Sequence, residues 1–111
     1  VRASSIMLLG LAYKKNVDDD RESPTYAIWQ MLRDAGANVS YNDPYVPTVR
    51  AGRTHGAFAG AVSVPLSDTF DAIVVCTDHD EYRTHDFSGY RAALIDTRNV
   101  VRQRPSHYYP A

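Results

Sequence analysis

A single cysteine in 111 residues excludes any disulfide within the chain. Cys76 lies in the apolar run 72–76, the setting of an inert core thiol, and its isolation agrees with a reducing compartment, so a cytoplasmic location is expected. Charge of one sign is also lacking. A formal net charge of −1 gives no global field to draw nucleic acid or an anionic membrane surface. No apolar stretch approaches the roughly 20 residues that span a bilayer, and no signal peptide is visible. There is no initiator methionine: Val1 leads almost directly into an apolar run, the pattern expected of a domain cut from a longer protein. What is present, 44% hydrophobic and 23% charged residues, suffices for one domain with a real core.

Ile6, Met7, Leu8 and Leu9 form a continuous apolar run ended by Gly10, as in a strand buried on both faces. Ser23-Pro24 then predicts a helix start, with serine as N-cap and proline at the first helical position. Ile28, Met31, Leu32 and Ala35 follow as an apolar stripe, and Gly36 closes the helix. Val39 and Tyr41 alternate with polar neighbours in a second strand, stopped by Asn42-Asp43-Pro44. A short helix is expected at 46–51, a third strand at 61–64, a fourth at 72–76, a short helix at 81–88 and a fifth strand at 92–95. The third and fourth strands would be joined by only residues 65–71, too short for a crossover helix. The proline-punctuated tail from Arg102 is expected to be poorly ordered. These elements predict a Rossmann-like three-layer α/β/α sandwich with about five parallel strands.

In such sheets ligands bind at the carboxyl ends of the strands. Residues 10–22, 77–81 and 96–99 occupy those ends. The first is anomalous: strand-to-helix loops usually take about 2–6 residues, and this one is far longer. It sets Lys14, Lys15 and Arg21 against Asp18, Asp19 and Asp20. Arg21 stands just ahead of a helix N-terminus, where the dipole disfavours a cation unless something anionic also comes there; the plainer alternative is a pairing with one of the aspartates. Gly10-Leu11-Ala12 lacks the G-x-G-x-x-G turn, so a primary NAD site is not expected in this domain. Asp78-His79-Asp80 has no second ligand group at metal spacing; Thr77 or Asp78 capping the next helix is the better reading. Arg98 follows the last strand on the same edge as the long loop, and an anion contact and a plain surface arginine are weighed evenly.

These residues resemble a family. The run from Gly10-Leu11-Ala12-Tyr13-Lys14-Lys15 to Asp18-Asp19-Asp20-Arg21-Glu22-Ser23-Pro24 is similar to the opening of the C-terminal domain of the UDP-glucose/GDP-mannose dehydrogenase family. The resemblance continues through Gly36-Ala37, residues 41–47, Thr77-Asp78-His79-Asp80-Glu81-Tyr82 and Asp96-Thr97-Arg98-Asn99, covering nearly the whole chain in order. Its Ala-Tyr-Lys-Lys and Asp-Asp-x-Arg-Glu-Ser-Pro forms look closest to bacterial enzymes acting on UDP-N-acetylhexosamines. The resemblance implies that Tyr13, Lys14 and Arg98 contact a UDP-sugar and that Arg21 reaches NAD held mainly by an N-terminal domain. It implies that this domain alone is inactive. The cysteine, lysine and asparagine of an NAD-dependent oxidation of the sugar C6 alcohol to a carboxylate would lie in N-terminal and central domains. Cys76 does not match that cysteine. A homo-oligomer is expected for the full-length enzyme, with a role in polysaccharide precursor synthesis. The short 65–71 link departs from the family pattern, in which a helix fills that place, at the end of the sheet away from the site.

Two other classes share this outline. A receiver-type phosphoacceptor domain has the same sandwich, but Val64-Pro65 supplies no acceptor aspartate, and Arg98 stands where that chemistry uses lysine. A ligand-free structural or oligomerisation module is the other.

Overall fold

The computed structural model describes residues 4–12, 24–49, 58 and 60–110. Its sheet has five strands, all parallel: β1 (Ser5–Leu9), β2 (Asn38–Asn42), β3 (Ala72–Val75), β4 (Ala93–Asp96) and β5 (Tyr108–Pro110), in the order β2-β1-β3-β4-β5. The order reverses between β1 and β3, which makes a crevice at their carboxyl ends. Two helices are present among the described residues, α1 (Thr25–Asp34) and α2 (Asp80–Thr84).

The apolar run in β1 is continuous because both faces are covered. Met7 and Leu9 join Ile73, Val75, Leu94 and Tyr82 of α2 in one core, and Leu8 joins Tyr26 and Trp29 of α1 with Tyr41 in the other. The expected three-layer α/β/α sandwich is present, one outer layer being thin.

Helix α1 begins one residue later than expected. Pro24 sits in the capping place with φ −65°, its carbonyl accepting the N–H groups of Ala27 and Ile28, while Ser23 lies outside the described residues. At the other end Gly36 has φ +96°, donates to Arg33 O at 2.9 Å, and is followed by Ala37 donating to Leu32 O at 3.0 Å. That is a Schellman closure, and the left-handed residue in it favours glycine. The buried stripe is rotated from the expected one. Tyr26 and Trp29 are buried, Ile28 and Leu32 only partly, and Met31 is 70% exposed. The aromatic rings decide this: Trp29 lies 4.5 Å from Phe58 and 5.6 Å from Tyr41 between ring centroids, and they bury more area than methionine could.

Four further expectations are corrected. Residues 61–64 are not a strand of the sheet: Val62 is exposed and makes a single antiparallel bridge with Thr48, while residues 46–49 are not helical and 50–51 lie outside the described residues. Pro47 and Pro65 flank this small arm and limit its ladder. The 65–71 segment is therefore part of the long β2–β3 connection. Its Leu66 and Phe70 pack on the Met7 core where a helix would otherwise lie, and the Asp71 N–H bonds Ser5 O at the start of β1. The second helix is shorter than 81–88, ending at Thr84. The tail forms β5, with the Tyr108 hydroxyl donating to Asp96 Oδ2 at 2.8 Å and the Arg104 guanidinium 4.4 Å over the Tyr108 ring. These contacts outweigh the Pro105 and Pro110 that read as disorder. Strands expected as fourth and fifth are thus the third and fourth.

Candidate functional site

The carboxyl ends of β1, β2 and β3 converge through side chains that replace the ladder where it stops. Gly10 still donates to Asn42 O at 2.8 Å. The next two N–H groups, of Leu11 and Ala12, donate instead to the carboxylate Oδ2 of Asp43, at 2.7 and 2.8 Å. His79 Nε2 reaches the same oxygen at 2.9 Å, and the Tyr45 N–H donates to Oδ1 at 2.8 Å. Because an ionised carboxylate only accepts, the His79 proton sits on Nε2. Both side chains are 0% exposed. The His79 ring packs against those of Tyr45 and Tyr82, tilted to both, at 4.7 and 5.7 Å between centroids.

Burial alone would raise the Asp43 carboxyl; the bonds from His79, Ala12 and Leu11 outweigh it and hold the group below its ordinary 3.8. Asp96 is similar. Burial would raise it, but the Val101 N–H, the Tyr108 hydroxyl and the N–H groups of Val100 and Arg98 lower it. Both folded values lie below the unfolded ones, so their stabilisation is full above the unfolded value and is lost as pH falls through the folded value. Urea unfolding between about pH 5 and about pH 2 is expected to show stability falling once pH drops below about 3.8, with the fall reduced in Asp96→Asn.

Neither Thr77 nor Asp78 caps α2. His79 holds the capping position, and the Thr77 hydroxyl donates to Ala12 O at 2.9 Å. Gly10 makes that approach possible: its φ is +99°, and a Cβ there would stand 2.3 Å from Thr77 Cβ and 2.7 Å from Thr77 N. The Thr25 hydroxyl in turn donates to Gly10 O at 3.1 Å, tying α1 to the same point.

Arg98 sits one strand over. Asp96 closes the turn after β4 by accepting the N–H groups of Arg98, Val100 and Val101, with Asn99 at φ +54°. This presents Arg98 at the surface and lets its Nε donate to Cys76 O at 3.1 Å, beside the end of β3. Anchored at Nε, the guanidinium has no other partner among the described residues, which leaves its terminal nitrogens for an anion one strand from the switch point.

Burial pushes the Cys76 thiol up to about 11, which makes it a poor nucleophile. As the residue after the third strand it also replaces Val64-Pro65 in the phosphoacceptor comparison, and it is no more an acceptor aspartate than they are. Among the described residues no group of three or more His, Cys, Asp or Glu could hold a metal ion, and no helix is long and apolar enough to cross a membrane. Tyr13, Lys14 and Arg21 lie outside the described residues. The sequence alone shows Asp43 only as a strand stop and His79 only as the middle of an Asp78-His79-Asp80 cluster without metal spacing.

A Rossmann-like sheet with a switch-point crevice and an anchored arginine defines a nucleotide-binding class of α/β domain. Residues 7–103 match the UDP-glucose/GDP-mannose dehydrogenase family, UDP binding domain, and the chain belongs to that family. Among curated relatives, a UDP-glucose 6-dehydrogenase of Rhizobium meliloti is 34% identical over 108 residues, covering 93% of this chain and 25% of its own length. A UDP-N-acetyl-D-mannosamine dehydrogenase of Pyrococcus horikoshii is 32% identical over 105 residues, covering 90% and 23%. A solved UDP-glucose dehydrogenase from Pyrobaculum islandicum superposes with a TM-score of 0.74 at 27% identity, covering 98% of this chain and 25% of that one. The chain thus spans about a quarter of the length of these relatives.

Proposed function

We propose that this chain binds a UDP-sugar at the carboxyl edge of its sheet, as the C-terminal part of an NAD-dependent UDP-sugar 6-dehydrogenase. The observation that carries the reading is Arg98, an exposed residue clamped by the Asp96 turn and the Cys76 carbonyl, one strand from the switch point. Lys14 joins it on the pyrophosphate and Tyr13 packs on the nucleotide or sugar; both follow directly on Ala12, whose position is fixed beside β3. The substrates of the two relatives share the UDP moiety and differ in the sugar, which agrees with recognition centred on UDP.

The Leu11 and Ala12 N–H groups, which a dinucleotide pyrophosphate would use at this point of the fold, are engaged by Asp43, so the residues present do not fit NAD here. NAD would belong to accompanying N-terminal and central domains, with Arg21 reaching toward it from this one. In the whole enzyme the C6 alcohol would be oxidised to a carboxylate by two hydride transfers to two NAD. This chain's residues bind and orient the substrate. We place the enzyme in the cytoplasm, as a homo-oligomer supplying polysaccharide precursors.

Calorimetry with UDP and uridine tests the reading. UDP is expected to bind more tightly than uridine, and Lys14→Ala or Arg98→Ala each to weaken UDP about tenfold or more, the scale of a lost charge-assisted hydrogen bond. Equal affinity for uridine and UDP, or an unaffected Arg98→Ala, contradicts it.

A further inference from the structure

Ala12 is the last described residue before the segment that carries Tyr13 and Lys14, and both of its polar backbone groups are held by side chains from other elements. Its N–H donates to Asp43, from the end of β2, and its carbonyl accepts from Thr77, beyond β3. The Ala12 carbonyl belongs to the peptide plane that joins Ala12 to Tyr13. These bonds hold the backbone of Leu11 and Ala12, to which both proposed ligand residues are joined in sequence.

We propose that Asp43, His79 and Thr77 are positioning residues for the UDP-sugar, a clamp on the Leu11–Ala12 backbone that sets the departure of the chain toward Tyr13 and Lys14. This rests on the reading of the site given above. An ionised carboxylate is expensive to bury, and two N–H groups could have been satisfied by continued strand pairing. The chain instead uses one carboxylate oxygen for Leu11, Ala12 and His79 together, so three segments far apart in sequence must be in register before the bonds form. His79 keeps the carboxylate ionised and aimed: Nε2 holds Oδ2, and the Tyr45 and Tyr82 rings fix the imidazole plane. None of the three touches the ligand in this account; each acts through the backbone of residues 11 and 12.

His79→Phe keeps a flat ring and removes the donor, whereas His79→Gln keeps a donor at similar reach. At a temperature where circular dichroism shows both variants folded, His79→Phe is expected to weaken UDP binding about tenfold and to speed amide exchange of Leu11 and Ala12 about tenfold. Exchange at Val74 and Ile95 should stay at the wild-type rate, and His79→Gln should recover most of both effects. Thr77→Val, which loses only the hydroxyl, serves as the second variant should His79→Phe fail to fold, with the same loss of affinity expected. Wild-type affinity in folded His79→Phe or Thr77→Val, or exchange that rises equally across the sheet, overturns the clamp. If the wild-type chain itself ignores UDP at millimolar concentration, the site reading fails. In that case the exchange pattern alone decides whether Leu11 and Ala12 are held by this clamp.

Discussion

Asp43→Ala is expected to cost about 3–5 kcal/mol, the scale for removing a buried carboxylate that several buried donors share. The substitution strips a common acceptor from Leu11 N–H, Ala12 N–H and His79 Nε2, all of them buried. Each donor left without an acceptor away from water contributes about 1–3 kcal/mol to the loss. Since a domain of this size has only about 5–15 kcal/mol in total, the melting temperature should fall by more than about 10 °C. Asp43→Asn keeps the shape and one acceptor oxygen but loses the charge, and should lie between wild type and alanine. Urea and thermal unfolding check the ranking. An alanine variant as stable as wild type would mean that the donors find other partners and that the carboxylate is not what joins the three strand ends.

Gly10→Ala is expected to be of similar size for a different reason. At φ +99° a side chain is strained wherever it points, by about 1–2 kcal/mol. The added methyl would also meet the Thr77 Cβ and backbone, parts of the chain that cannot swing aside. Either β1 and β3 separate at their carboxyl ends or Thr77 gives up Ala12, so overpacking adds about 1–3 kcal/mol. The expected result is a lower unfolding free energy with the far end of the sheet, around Ser5 and Asp71, still protected in amide exchange. Uniform loss of protection would contradict a local origin.

Much of the fold can be read from the residues because its strongest signals are local. The buried run of β1, the glycine closing α1, the turn after β2 and the apolar strand β3 each carry their reason within a few residues. Where the reading fails, the deciding partner is distant. Strand β5 depends on Tyr108 reaching Asp96 and Arg104 covering its ring, and prolines in the tail mask both. The α1 stripe is set by Phe58 and Tyr41, which a periodicity within the helix does not contain. The site divides in the same way. Arg98 is visible as a cation at a strand end, whereas Asp43 and His79 are separated by 36 residues and read separately, one as a turn and the other as part of a cluster without metal spacing. The pair has a signal only once the strand order is known: Asp43 ends β2 and His79 lies beyond β3, and these two strands flank β1.

Titrating the isotopically labelled chain with UDP and following its amide resonances locates the ligand on the sheet. Shifts are expected at Leu11, Ala12, Thr77 and Thr97–Asn99, at the carboxyl edge, and they should shrink in Arg98→Ala. Unchanged spectra at millimolar UDP, or shifts confined to the opposite edge around Ser5 and Asp71, would contradict a UDP-sugar site built on the ends of β1, β3 and β4.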